Sequence, residues 1–411
     1  YDQSEDRSFP EDHYLTSILA WSPGGSALYC TVKKWENKPK DFPVPAETRP
    51  AEETRKADRK EAPKKSEPNA GKKEESELEA TAENGKSGDG KEQQKTPPSG
   101  KTLRATLKTP SNVEVWHSRD TTIMPRQKKE ASGRKNPSRR AIWWIERGQF
   151  QQLESELTER VMLSKNGRRA IGLDHSPHER AAMFGPRLYD AYAINTVNGK
   201  RDLILEGVKF TLSMSPNGRF LLFLREGHVW SHDLRSGKQR NLSGKLDTRF
   251  TDGQDDTLAV EKRPFGNGVW LTDGSGVLLY DRYDIWLLDP QGGQARRLTN
   301  GHKGRIRHRI SQASLHPDNE GMLDPRDPLY IALYGERSKK SGYARLLRGA
   351  GKQPSDRLEQ LIYTDAMVLY LERARDAEVY TFTRERSDQP RNLFLGGPAL
   401  KSPCQITNTN E

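Results

Sequence analysis

The stretch "GVLLYDRYDIWLLDPQGG", Gly276 to Gly293, decides how the chain is read. Two apolar runs, Val277-Leu278-Leu279-Tyr280 and Ile285-Trp286-Leu287-Leu288, flank Asp281-Arg282-Tyr283-Asp284. β-Branched and aromatic residues on either side of a short polar run read as two strands and a turn. The charged turn is either a catalytic carboxylate cluster or the punctuation of a repeating all-β fold. Asp favours such turns because its side chain bonds nearby backbone N–H groups, and nothing adjacent supplies a nucleophile or a metal. The reading taken is turn chemistry for Asp281 and Asp284, between the second and third strands of a repeat.

The repeat is visible on both sides. "WLTDGSGVLLY" at Trp270 has counterparts in "AWSPGGSALYC" at Ala20, "MLSKNGRRAIG" at Met162 and "SMSPNGRFLLF" at Ser213. Each places a small residue and a Pro/Asn/Asp/Gly turn before an apolar strand, and the Asn-Gly and Asp-Gly pairs supply the positive φ of tight hairpins. A second kind of element also recurs: "LYDAYAINTVNGKRDLILEG", "HVWSHDLRSGKQRNLSG", "DIWLLDPQGGQARRLTNG" and "EVYTFTRERSDQPRNLFLG". Two hairpins per unit at a spacing near 50 residues predict a β-propeller of about six to eight four-stranded blades, in a ring that these residues need not complete. Helical periodicity is nearly absent. Gln151 to Arg160 is the best helical candidate.

Bulk composition hides a second kind of sequence. The 411 residues are 32% hydrophobic and 30% charged, a poor average for a core. The shortfall is concentrated: Pro43 to Val115 holds no Phe, Trp or Tyr. Such a segment cannot offset its ordering entropy. The expected organisation is a first blade beginning in 1–37, a disordered Lys/Glu-rich insertion over 38–101, the remaining blades over 102–405 and a linker over 406–411. The formal net charge of +11 therefore falls on the structured part. The basic run Lys128 to Arg140 reads as a loop, and His302 to Arg309 as a loop entering a strand. Cys30 and Cys404 offer neither a disulfide framework nor a zinc site, although a ring could bring them together in a closing bridge. No apolar run reaches the ~20 residues of a membrane-spanning helix. The start at Tyr1, with no Met and no apolar leader, reads as cropped.

Other candidates are weaker. His175-Ser176-Pro177-His178-Glu179 has two imidazoles and a carboxylate, but Pro177 argues for a polar loop over a metal site. His117, beside Trp116, reads as a partly buried strand residue. Trp143-Trp144 next to Arg139-Arg140 could stack nucleic acid. Adjacent strand residues face opposite ways, however, so one ring is expected in the core and nucleic acid is not an expected partner.

"VEVWHSRDTTIMPRQ", Val113 to Gln127, resembles a signature of bacterial prolyl oligopeptidase family serine peptidases, through Val113, Val115, Trp116, His117, Asp120, Pro125 and Gln127. Ser118 departs from the pattern, which has an aromatic there. Tyr280, Asp281, Tyr283, Asp284, Ile285 and Trp286 match a blade motif of the same family, and "ITNTNE" is similar to its link into a C-terminal α/β-hydrolase domain. The resemblance implies a propeller that gates and helps bind peptide substrate for a hydrolase domain in cis, in a periplasmic or secreted protein. It does not carry over the chemistry. No G-x-S-x-G nucleophile elbow is present, and Gly274-Ser275-Gly276 lacks its spacing. No catalytic residue, cofactor-binding residue or metal ligand is therefore assigned, and no cofactor is expected. The double-Glu amine anchor of dipeptidyl-peptidase-like relatives has no counterpart that can be located. The alternative is a stand-alone propeller scaffold that binds a protein or polyanionic partner.

Overall fold

The computed structural model describes residues 9–22, 25–36, 116–259, 261–347 and 357–410. The chain divides into two compact units, 1–43 with 129–411, and 44–128. The first unit holds every strand of the described residues. The expected insertion, 38–101, lies outside the described residues, as do Val113 and Val115.

Six four-stranded antiparallel sheets follow one another along the chain, each with its strands in sequence order. Sheet 1 comprises β1 (His13–Trp21), β2 (Leu28–Lys34), β3 (Arg139–Trp144) and β4 (Gln149–Gln152). Sheet 2 comprises β5 (Thr158–Leu163), β6 (Arg169–Asp174), β7 (Tyr189–Asn195) and β8 (Arg201–Val208). Sheet 3 comprises β9 (Thr211–Met214), β10 (Phe220–Arg225), β11 (His228–Asp233) and β12 (Gln239–Asn241). Sheet 4 comprises β13 (Val269–Trp270), β14 (Val277–Tyr280), β15 (Ile285–Leu288) and β16 (Arg296–Arg297). Sheet 5 comprises β17 (Ile306–Ile310), β18 (Leu329–Gly335), β19 (Ser341–Leu347) and β20 (Arg357–Thr364). Sheet 6 comprises β21 (Met367–Arg373), β22 (Tyr380–Arg386), β23 (Gln389–Gly396) and β24 (Cys404–Gln405). This is the expected all-β propeller, with six blades among the described residues.

Alternation along the strands sends apolar side chains to both faces, so each sheet shares a core with the next. Ile142 and Trp144 of sheet 1 meet Val161 and Ile194 of sheet 2. Ile171 and Ala191 meet Leu221 and Phe223. Leu222 and Leu224 meet Val277 and Leu279. Leu278 and Ile285 meet Ile331 and Leu333. Tyr330 and Tyr343 meet Val368, Tyr380 and Phe382. None of these cores joins sheet 6 to sheet 1 among the described residues.

The recurring small residue has a physical reason. Ser215 Oγ accepts from Phe220 N (2.8 Å) and Arg219 N (3.0 Å) and donates to Asn217 Oδ1 (2.8 Å). Ser164 and Asn166 repeat the arrangement in sheet 2. Asn166 Nδ2 then donates to Asn217 O (3.0 Å), tying the two turns together. Gly167 and Gly218 take φ of 69° and 70°, a region open to glycine at little cost.

Several expectations are corrected. Gln151 to Arg160 is not helical: it ends β4 and begins β5, with Leu153 buried. The helix of the described residues is α1 (Met124–Lys135), which takes in Lys128 to Lys135 of the run expected to be a loop. It has no buried residue, so it carries no apolar spacing to detect. Trp143 and Trp144 do face opposite ways, but both are core. His117 lies in an exposed turn, its Nδ1 accepting from Arg119 N (3.0 Å). "EVYTFTRERSDQPRNLFLG" forms the second and third strands of sheet 6, whereas its three counterparts form third and fourth strands. Cys30 is buried and Cys404 exposed, and both are free thiols.

Candidate functional site

Antiparallel order gives every sheet two unlike ends. First-to-second and third-to-fourth strand connections lie at one, the turn end. Second-to-third connections and the links between sheets lie at the other, the loop end. Two cavities open at the loop end of sheets 4, 5 and 6.

The Asp281 turn walls the first, a cavity of about 440 Å³ that also meets Arg249, Asp252, Arg297 and His302. Asp281 Oδ1 accepts from Tyr283 N (2.8 Å) and Asp284 N (2.5 Å). Its Oδ2 accepts from Thr248 Oγ1 and Trp286 Nε1, both at 2.8 Å. Fully buried Asp284 accepts from Thr299 Oγ1 (2.7 Å) and Gly301 N, with His302 Nδ1 at 3.4 Å. Both carboxylates are consumed by the turn and its neighbours, as the turn reading expects. What they present to the cavity is Arg282 and Tyr283.

Glu336 organises the next step outward. It follows β18 and reaches back to sheet 4. Arg282 donates to both its oxygens (3.2 and 2.8 Å), Arg307 Nε to Oε1 (2.8 Å) and Tyr283 Oη to Oε2 (3.0 Å). Burial pushes this carboxyl up, but the Arg282, Arg307 and Tyr283 hydrogen bonds outweigh it and hold the group at about 2. The β17–β18 ladder runs on to this residue, Glu336 N donating to Arg305 O (3.0 Å). Beneath it, Arg309 lies 4.8 Å from the Tyr280 ring centre and donates to Asp281 O and Arg282 O. Three loops from two sheets thus form one cross-linked platform.

The second cavity, about 660 Å³, lies between the loop ends of sheets 5 and 6. Tyr334, Lys339, Asp365, Met367, Leu369 and Arg386 line it. Tyr334 and Met367 are 38% and 51% exposed, apolar surface held open to solvent. Tyr334 pairs with Arg307 across the strands, and its ring centre lies 5.5 Å from Arg307 and 5.9 Å from Lys339.

The remaining candidates do not converge. His178 Nε2 lies 2.7 Å from Asp190 Oδ1, which also accepts from Gly207 N. His175 Nδ1 lies 2.7 Å from Leu188 O, so the two imidazoles serve separate loop contacts. Ser275 Oγ donates to Asp273 in an exposed turn. Among the described residues no group of His, Cys, Asp and Glu could hold a metal ion. No helix of these residues is long and apolar enough to cross a membrane. The Glu336 clip was not read from the sequence. Its signal is a lone acid at the head of "ERSKK", Glu336 to Lys340, beside the separate basic run at His302.

No family model matches the chain, and no curated protein matches it. Solved structures do. One, from a structural and mechanistic study of two prolyl endopeptidases, is 11% identical over 66% of this chain and 46% of that one, with a TM-score of 0.30. Prolyl oligopeptidase B from Galerina marginata is 10% identical over 66% of this chain and 40% of its own, at 0.40. TolB from Acinetobacter baumannii is 14% identical over 64% and 58%, at 0.30. These similarities concern the fold alone. The chain spans about half the length of such structures.

Proposed function

We propose that this chain is the non-catalytic propeller of a serine peptidase, which limits access to a hydrolase domain in cis and helps hold its peptide substrate. The observation that carries the reading is the position of Tyr280 to Trp286. These residues bear the family resemblance, and Asp281 to Asp284 among them wall a polar cavity. The turn itself is rigid, with both carboxylates fully engaged and Arg282 and Tyr283 clipped to Glu336, so this wall of the cavity keeps a fixed shape and charge for an incoming ligand. The chemistry is assigned to that hydrolase domain, because the sequence holds no G-x-S-x-G elbow.

The test uses the native source. Extract proteins are labelled with a fluorophosphonate probe and captured, and peptides from Val113 to Arg126 are sought by mass spectrometry. The expected result is recovery from a labelled species much larger than 46.7 kDa. Recovery only from an unlabelled species of that mass overturns the reading in favour of a stand-alone scaffold. The 411-residue chain itself hydrolyses no aminoacyl or peptidyl chromogenic substrate.

A further inference from the structure

The platform around Glu336 leaves a surplus of positive charge with a defined shape. Glu336 is spent on Arg282 and Arg307. Around it stand Lys303 and Arg305 on the link into β17, and Arg337, Lys339 and Lys340 on the β18–β19 connection, all exposed. None of these five has an ion-pair partner among the described residues. They cannot splay freely, because the Arg305–Glu336 backbone bond and the carboxylate clip fix the loops that carry them. Like charges held together on a fixed surface repel one another and are relieved by an anionic partner.

The surroundings narrow the partner. A nucleic acid would need cations tracking along its backbone and several aromatic faces for its bases. Here the second cavity interrupts the cations, mixing Asp365 and Glu385 with Lys339 and Arg386, and Tyr334 is the aromatic ring in its lining. That cavity is floored by Ala366, Met367 and Leu369, which suits an apolar side chain. A peptide offers both features a few residues apart.

We propose that the loop end of sheet 5 selects peptide segments that carry acidic side chains next to an apolar one, the acids on Arg305, Arg337, Lys339 and Lys340 and the apolar group between Tyr334 and Met367. This rests on the peptide-binding reading above and names its substrate class.

The test uses the 411-residue chain and three fluorescein-labelled peptides of equal length, with identical apolar residues and Glu, Gln or Lys at the flanking positions. Binding is read by fluorescence anisotropy at low and high salt. The Glu peptide is expected to bind about tenfold tighter than the Gln peptide at low salt, since each exposed ion pair contributes at most a few-fold. The margin shrinks at high salt. Lys339→Glu combined with Lys340→Glu removes it while the melting temperature holds. If that pair misfolds, Arg337→Gln with Lys340→Gln is read instead and reduces the margin. Equal binding of Glu and Gln peptides, or a preference that survives the substitutions, overturns acidic selection and leaves peptide binding standing. Failure of all three peptides to bind overturns the peptide reading itself. A short single-stranded oligonucleotide binding tighter than the Glu peptide overturns the proposal in favour of a nucleic acid.

Discussion

The two ends of the sheets are built on different rules. At the turn end of sheets 2 and 3, five residues close each hairpin, and Ser164 and Ser215 bond their turns in the same way. At the loop end, the connections range from the two residues Glu226 and Gly227 to the long link 242–268, and side-chain bonds there run between sheets: Thr248 to Asp281 and Glu336 to Arg282. A repeated local bond serves the fold of one blade. An unrepeated bond between blades serves a surface that only one place in the molecule has. The comparison teaches where binding should be sought, and it can be broken at several points.

The largest effect is expected at the loop end, from a residue that the division assigns to structure in spite of its position. Asp284→Ala leaves Thr299 Oγ1 and Gly301 N without an acceptor in a buried site. Unsatisfied buried donors cost about 1–3 kcal/mol each, so stability should fall by about 3 kcal/mol in a denaturant titration. If stability holds and peptide binding is lost, Asp284 is a ligand-binding group and the turn reading is wrong.

Ser215→Ala tests the other end. It strips an acceptor from two backbone N–H groups in a fully buried position. A loss of about 1–2 kcal/mol is expected, with affinity for the acidic peptide unchanged. A change in affinity at equal occupancy of the folded state would show that the two ends are coupled.

The same division explains what the sequence made legible. Sheets 2, 3 and 4 were read from their turns because a tight turn is a local object: Ser215, Asn217 and Gly218 lie within four positions. Sheet 5 lacks that signature, since 311–328 replaces the tight hairpin between β17 and β18. Sheet 6 shifts its most strand-like hairpin by one strand. Helix α1 buries nothing and so leaves no apolar spacing to read, while 151–160 joins two strands, with Leu153 buried between them. In the site, the Asp281 turn could be read because its bonds to Tyr283 and Asp284 are sequence-local. The Glu336 clip could not, because its partners Arg282 and Arg307 stand 54 and 29 residues away.

Acid should weaken the two ends separately. Burial lowers the pKa of His308 at the loop end, against the pull of Asp284, and lowers that of His232 near the turn end, against the pull of Asp233. Each imidazole takes up a proton less readily in the fold than in the unfolded chain, where it protonates near 6.5. The unfolded chain therefore binds more protons below that value, and stability falls as pH drops through it. Glu336 acts in a lower window, its contribution present above 4.5 and lost as pH falls toward about 2. Denaturation midpoints from pH 8 to 5 should decline, and His308→Gln and His232→Gln should each flatten part of the slope. A slope that neither substitution changes would refute the assignment.

The smallest effect separates charge from charge. Arg326 holds Asp324 at 2.7 Å, no longer than the 2.8 Å of Arg282 to Glu336. Yet Arg326 is 87% exposed against 31% for Arg282, and its pair is local while the other bridges two sheets. Water screens the exposed pair and side-chain entropy opposes it. Arg326→Ala should therefore leave the denaturation midpoint where it was, while Arg282→Ala lowers it by freeing Glu336 from one of its three donors. Equal shifts would mean that the clip is another surface ion pair. The cations around it would then have no fixed frame, and the shape on which acidic selection depends would be lost with it.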